Sequence, residues 1–289
     1  MYLLRKFRLT LRDVIGSHRI FEIANLFCRF FGVSISDAYS SKLGLGNFGS
    51  LITTGEENFV IHFLKPLLKD FEYLTFFDVG SHKGSYSLLL RKNFPKASIY
   101  AFEPNLFLQD QLQESLKNTG VETFFFGFGN QTGEFLATGF QGDPSLETVT
   151  LYSDSLCVVA PDEFQETIEF KFEVKKIDDF VESEGIREIH FLKIDTEGHE
   201  LSVLEGAKSL IENHNIKIIQ FEFNLNNVYS RVFMGDFYSL LKNYQFFRIT
   251  PCGLLDLGQY HPHKHEIFKF QNIVAFENSI DLTNIIKYK

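Results

Sequence analysis

The sequence predicts an α/β protein, a mostly parallel sheet with helices on both faces. Three observations predict it. Apolar runs of strand length recur along the chain, "YLTFFDV" (73–79), "SIYAFE" (98–103), "ETFFFGF" (122–128), "EIHFLKID" (188–195) and "IKIIQFEF" (216–223), with helix-like segments between several of them. The runs are apolar at odd and even positions alike, as in strands buried on two faces. Finally, the first run passes through a glycine turn directly into a helix-like run, "FFDVGSHKGSYSLLL" (76–90).

Taken in order, residues 1–19 carry Arg5, Lys6, Arg8, Arg12 and Arg19 against only Asp13. In "IFEIANLFCRFFGV" (20–33), Ile20, Ile23, Ala24, Phe27, Phe30 and Phe31 recur at helical spacing. Glu22, Asn25 and Arg29 interrupt the apolar stretch, which argues against a signal peptide. Two partners are expected for this helix: the domain or a second subunit (homodimerisation), or an anionic membrane surface met at the periphery. "SSKLGLGNFGS" (40–50) reads as a linker or mobile loop, so the chain divides into a basic extension (1–50) and one α/β domain (51–289).

Helices are expected at "SYSLLLRKNF" (85–94), "NLFLQDQLQESLKN" (105–118), "HELSVLEGAKSLIEN" (199–213) and "GDFYSLLKNY" (235–244). Between 130 and 175 the pattern becomes short and alternating ("GEFLAT", "LETVTLY", "TIEFKFEVKKI"), which predicts an inserted antiparallel segment. Strands return at "FFRIT" (246–250) and "NIVAFEN" (272–278).

Composition narrows the partners. A net charge of −9 argues against nucleic acid, whose phosphates require clustered Lys and Arg. Phenylalanine is abundant (34 residues) and falls mostly in strand-like runs, so it reads as core. Cys28, Cys157 and Cys252 are far apart and form no C-x-x-C, indicating neither a zinc site nor a disulfide framework. A reducing, cytoplasmic location is expected, with peripheral membrane contact through the extension. No run of 18 apolar residues occurs.

The chemistry begins at the glycine loop, Asp78-x-Gly80-x-x-x-Gly84, with Ser81, His82 and Lys83 between the glycines. Strand, glycine turn and helix N-terminus make a generic anion and nucleotide site. The dinucleotide fingerprint G-x-G-x-x-G is absent, and an acidic residue precedes the turn. Acidity there suits a ligand bearing an ammonium and a sulfonium, such as S-adenosyl-L-methionine. Glu103, 25 residues after Asp78 at the end of the next strand, is placed to accept both ribose hydroxyls, a role that fits NAD equally. In "FLKIDTEGHE" (191–200), Asp195 closes a buried strand and Glu197 and Glu200 follow; Glu200 is expected to favour the helix dipole.

The blocks "DVGSHKGSYS", "AFEPN", "VKKIDDFVE", "LKIDTEGHELSVLEGA" and "IIQFEF" resemble, in order and spacing, those of FkbM-type methyltransferases over roughly residues 72 to 277. The resemblance implies a class I methyltransferase (Rossmann-like) fold, with a seven-stranded sheet whose last strand is antiparallel. It implies S-adenosylmethionine as cofactor, no metal requirement, and methylation of hydroxyls, often on sugars, glycans or polyketides (a small-molecule or glycan acceptor). By the same resemblance Asp78, Gly80, Ser81, His82 and Gly84 form the cofactor loop, Glu103 is the ribose acid, and Phe128, Gly129 or Asn130 borders the adenine.

An aliphatic hydroxyl holds its proton at neutral pH, so a base should assist methyl transfer. Asp195 is the first candidate, Glu222 in "FEF" the second, with Asn224 as a substrate contact and Glu197 orienting the loop. His199 is expected to pack or lie on the surface. His261, His263 and His265 alternate as on one strand face, which suits either surface-loop histidines or a metal site lacking identifiable further ligands. Two alternatives remain: an NAD(P)-dependent Rossmann oxidoreductase, and a non-catalytic binding protein on the same fold.

Overall fold

The computed structural model describes residues 17–32, 34–140, 149–152 and 167–283. Arg5, Lys6, Arg8, Arg12, Asp13 and Cys157, together with part of the expected strand "LETVTLY", lie outside them. The helices are α1 (Ser17–Phe30), α2 (Ile35–Lys42), α3 (Glu56–Phe59), α4 (Lys65–Leu67), α5 (Ser85–Asn93), α6 (Gln109–Leu116), α7 (Ile177–Glu184), α8 (Glu200–Glu205), α9 (Lys208–Glu212), α10 (Asn226–Ser230), α11 (Met234–Leu240) and α12 (Pro262–His265). The strands are β1 (Thr75–Val79), β2 (Ser98–Phe102), β3 (Glu122–Phe124), β4 (Gly127–Phe128), β5 (Gly133–Phe140), β6 (Val149–Thr150), β7 (Thr167–Lys175), β8 (Ile189–Ile194), β9 (Ile216–Phe223), β10 (Tyr244–Thr250), β11 (Gly253–Asp256) and β12 (Gln271–Glu277).

The main sheet runs β11-β10-β12-β9-β8-β1-β2-β3. Strands β3, β2, β1, β8 and β9 are parallel, and β12 enters antiparallel between β9 and β10. The expected seven strands are therefore present, plus β11, a short strand folded back on β10 after the "PCG" turn. Chain order reverses between β1 and β8, which opens the crevice at the carboxyl ends where α/β sheets bind ligands.

Both faces are covered, as continuous apolar strands require. Successive residues feed opposite layers: Phe77 packs with Phe102, Phe128 and Phe180 of α7, while Phe76 packs with Phe59, Phe94 and Phe191. The abundant phenylalanine is largely this core, with Phe102 touching Phe77, Phe124, Phe126, Phe128 and Phe180. Helices α7 and α10 were not anticipated, since both follow directly on strand-like or polar runs.

The inserted segment forms its own sheet, β4-β7-β5-β6, with β5 and β7 antiparallel over eight residue pairs. The stretch expected to be a linker is instead packed on the domain. Gly44, at φ +76°, lies so close to β10 that a Cβ there would stand 2.2 Å from the Ile249 carbonyl oxygen. Gly46 N–H donates to Phe270 O at 2.8 Å, and Leu45 is buried. Residues 43–54 thus form a strap across the carboxyl ends of β9 and β10 and the amino end of the antiparallel β12. Helix α1 stands apart from this packing and exposes Ile23, Leu26, Phe27, Phe30 and Phe31. Among the described residues no helix is long and apolar enough to cross a membrane.

Candidate active site

The site is built on the pleat of three central strands. Asp78 on β1, Lys193 on β8 and Gln220 on β9 are register partners, a buried polar row across three central strands. Two residues further along each chain, on the same face, come Gly80, Asp195 and Glu222 at the crevice. The row below therefore supports the row above. Lys193 Nζ lies 3.0 Å from Asp195 Oδ2, 3.7 Å from Asp78 Oδ1 and 5.3 Å from the Tyr86 ring centre. Tyr86 Oη donates to Gln220 Oε1 at 2.6 Å, and Gln220 Nε2 donates to Glu56 Oε1 at 2.7 Å and Asn272 Oδ1 at 3.2 Å.

Asp78 was expected to face the ligand, and the structure corrects this. It is fully buried beneath the loop, where Ser87 Oγ donates to Oδ2 at 2.6 Å and Lys193 approaches Oδ1. It holds the loop from below. Burial raises its carboxyl, and the Lys193 ammonium and the Ser87 hydroxyl only partly offset that.

The loop turns tightly around Gly80, at φ +78°, whose added Cβ would stand 1.7 Å from the Asp195 carbonyl oxygen. Gly80 and Ser81 both donate to the Phe102 carbonyl, pinning the turn to β2. Gly84 starts α5 and packs on Leu112 and Leu116, away from the cavity. Glu103 closes β2; its Oε2 accepts from His82 N–H at 2.8 Å and its Oε1 from Asn105 N–H at 2.9 Å. Burial raises Glu103 to about 7, against the pull of those two N–H donors.

A cavity of about 320 Å³ opens above this loop, lined by Gly80, His82, Glu103, Phe128, Asp195 and His199. The inserted sheet roofs it through Ala137, Phe170 and Phe172. Of the three residues expected beside the adenine, Phe128 lines the cavity. Gly129 packs behind it against His199 and Val174, and Asn130 is exposed, with Nδ2 donating to Glu205 Oε2 at 2.9 Å. His199, expected to pack or lie on the surface, instead lines the cavity, its Nδ1 3.1 Å from Tyr152 Oη. Burial lowers it to about 4, so it is neutral at physiological pH.

Asp195 stands where three cavities meet: the one above, the polar hollow over Lys193, and a larger cavity of about 1180 Å³ beneath the strap. Burial acts to raise its carboxyl, but the Lys193 ammonium and hydrogen bonds from Lys193 and Glu222 outweigh it, and the group is held below the usual carboxylate range. Burial, with Asp195, Glu197 and Glu200 nearby, pushes Glu222 well up. The pair therefore shares one proton, with Asp195 the ionised member. Asn224 Nδ2 donates to Glu222 Oε1. Glu197 sits in the left-handed region at φ +54°, held by Asn226 Nδ2 donating to its Oε2 at 2.6 Å. Glu200 ties the same turn together, accepting N–H bonds from Thr196 and Gly198 at 2.9 and 3.1 Å.

The histidines of "HPHKH" are not on a strand. Pro262–His265 is a helical turn in which buried His265 accepts from His261 N–H through Nδ1 and meets Leu257 O through Nε2. Among the described residues no three His, Cys, Asp or Glu side chains group as metal ligands.

The residues present fit S-adenosylmethionine. Ser81 Oγ is buried in the loop without a hydrogen-bond partner, the Gly80 turn leaves no space for a side chain, and the Glu103 carboxylate lines the nucleoside-sized cavity.

Comparison with known proteins supports the same chemistry. The model of the Methyltransferase FkbM domain family matches residues 78–247. The chain is 29% identical over 140 residues to Methyltransferase 1 of Beauveria bassiana, covering 45% of this chain and 56% of that protein. It is 27% identical over 147 residues to Hexuronic acid methyltransferase AglP of Haloferax volcanii, covering 50% of this chain and 54% of that protein. The chain thus spans about half the length of these curated relatives. A solved FkbM methyltransferase of Methylobacillus flagellatus aligns at 16% identity and a TM-score of 0.44, over 81% of this chain and 57% of that one.

Proposed function

The chain belongs to the FkbM methyltransferase family, so S-adenosyl-L-methionine is its methyl donor, and we propose that it is an O-methyltransferase acting on a hydroxyl of a sugar or glycan. One observation carries the reading: Asp195 borders both the nucleoside-sized cavity and the larger cavity beneath the strap. Donor and acceptor held in the two spaces meet at one carboxylate. The similarity to a hexuronic acid methyltransferase supports a sugar as acceptor.

Glu103 would hold the ribose hydroxyls, and the Gly80–Gly84 turn with the Ser81 hydroxyl would hold the amino-acid end. Phe128 and the inserted sheet line the same cavity and would shield a nucleoside there from water. Bound there, the sulfonium supplies an electrophilic methyl group with a good leaving thioether. Positioning therefore does most of the work. Asp195, kept ionised by Lys193, accepts the hydrogen bond of the acceptor hydroxyl and takes its proton at Oδ as oxygen becomes methylated. Glu222, the protonated partner, orients Asp195, and Glu197 shapes the turn between the two cavities.

The test is Asp195→Asn, which keeps size and hydrogen bonding but cannot accept the proton. Turnover should fall about 10²–10⁴-fold, the range for loss of a general base, while S-adenosylhomocysteine binds nearly as before. A parallel loss of cofactor affinity makes Asp195 a cofactor ligand. Normal turnover beside an inactive Glu222→Gln moves the base to β9.

A further inference from the structure

The strap from residue 43 to 54 does more than fasten the N-terminal region. It brings Phe48, 71% exposed, against Phe270 on the approach to β12, ring centres 5.0 Å apart. The two rings overhang the cavity of about 1180 Å³ whose inner wall carries Asp195, Glu222, Asn224 and Asn226. Asn226 is 6% exposed, and its Oδ1 is buried with no hydrogen-bond partner. An aromatic pair held open on one side and convergent carboxyl and amide groups on the other match a ligand with an apolar C–H face and a rim of hydroxyls.

We propose that this cavity is the acceptor subsite and that it takes an uncharged pyranose carried on a larger glycan, stacked on Phe48 and Phe270. This rests on the O-methyltransferase reading and specifies its substrate. The charge of the wall selects a neutral ring. The titratable residues around the cavity are the carboxyls of Asp37, Asp195, Glu197 and Glu222 against one ammonium, Lys269, exposed at the rim. Of the wall carboxyls Asp195 is held ionised, while burial keeps Glu197 and Glu222 protonated. Lys193, beneath the wall, is already engaged by Asp195 and Asp78. A uronate or sugar phosphate would place an anion against the Asp195 carboxylate with no buried cation to answer it, a costly arrangement. Hydroxyls instead find acceptors in Asp195 and Asn226 Oδ1 and a donor in protonated Glu222. The cavity also exceeds the roughly 300–1,000 Å³ of ordinary small-ligand sites, which suits more than one sugar ring.

The chain contains no tryptophan, so Phe48→Trp in the full-length protein makes a single fluorescent reporter at the subsite. Titration uses neutral trisaccharides (cello-, malto- and mannotriose) and trigalacturonate, with S-adenosylhomocysteine present. A saturable emission change with a neutral trisaccharide is expected, weakened at least tenfold by adding Phe270→Ala and absent with trigalacturonate. An unchanged S-adenosylhomocysteine thermal shift in both variants confirms folding. Tighter binding of trigalacturonate, or no saturable response to any neutral trisaccharide, overturns the subsite. Labelled methyl transfer to saccharides by a protein whose reporter never responds keeps the O-methyltransferase reading and discards the subsite. A neutral-sugar response without transfer to any saccharide keeps the subsite and removes that reading.

Discussion

Asp78 and Lys193 face each other in register across the two central strands, Oδ1 and Nζ 3.7 Å apart, both buried. Lys193 answers the buried acid and at the same time holds Asp195 ionised 3.0 Å away. Burial acts to lower the Lys193 ammonium, but Asp195, Asp78 and Glu56 raise it further, so it stays charged. Lys193→Met should therefore destabilise the protein by about 3–5 kcal/mol, the cost of stranding a buried partner. Adding Asp78→Asn should recover part of that loss in urea denaturation. Equal stability of the single and double variants removes the coupling.

Gly80 tests the loop. A methyl group there meets the Asp195 carbonyl in a left-handed conformation. Gly80→Ala should cost about 1–3 kcal/mol in backbone strain and displace the turn from β8. Loss of the S-adenosylhomocysteine thermal shift is expected. Retention of the full shift shows that the ligand does not rest on this turn.

Protons should be linked to stability and to the cofactor. Glu103 and Glu200 are raised to about 7 and Glu197 to about 8, each chiefly by burial, from an ordinary 4.5. In the window from 4.5 to their raised values the folded chain holds protons that the unfolded chain has released. Stability from these groups is full below 4.5 and is lost as pH rises toward 7–8. His199, lowered to about 4 from 6.5, acts oppositely below 6.5. Glu56, Asp78 and Glu222 are raised as well, and His190 and His265 lowered, so six carboxyls stand against three imidazoles and the melting temperature of the ligand-free protein should fall from pH 5.5 to 8. Ribose binding favours ionised Glu103, so S-adenosylhomocysteine affinity should strengthen as pH rises to about 7. A melting temperature that rises steadily from pH 5.5 to 8 contradicts this assignment.

The apolar face that α1 exposes, with Arg29 near its end, is a candidate contact for a second copy of the chain or an anionic lipid surface. Removing residues 1–33 should reduce self-association in sedimentation or binding to phosphatidylglycerol vesicles, with cofactor affinity unchanged. If neither measurement moves, α1 serves local packing alone.

Much of this arrangement is legible in the sequence because its physics is local. Strand runs, the glycine turn and the acids at strand ends announce themselves through periodicity and spacing. The supporting row leaves only a faint trace in the sequence: "FFDVG", "FLKID" and "IIQFE" each carry one polar residue two positions before the crevice residue. Only the sheet register makes Asp78, Lys193 and Gln220 neighbours. The strap failed for the opposite reason. Its glycines resemble a linker, yet Gly44 is needed for close approach to β10 and Gly46 binds the Phe270 carbonyl, contacts spanning more than 200 residues of chain. The burial of Asp78 is not legible in the sequence, because an acidic residue before a glycine turn looks the same whether it faces the ligand or the core.

The most direct measurement is methyl transfer from trideuteromethyl S-adenosylmethionine to neutral oligosaccharides, read by tandem mass spectrometry. Label is expected on a ring-hydroxyl oxygen, made by the wild-type protein and lost with Asp195→Asn while S-adenosylhomocysteine still binds. Label on nitrogen or carbon, or no transfer from a protein that binds and reduces NAD(P), would contradict the O-methyltransferase reading.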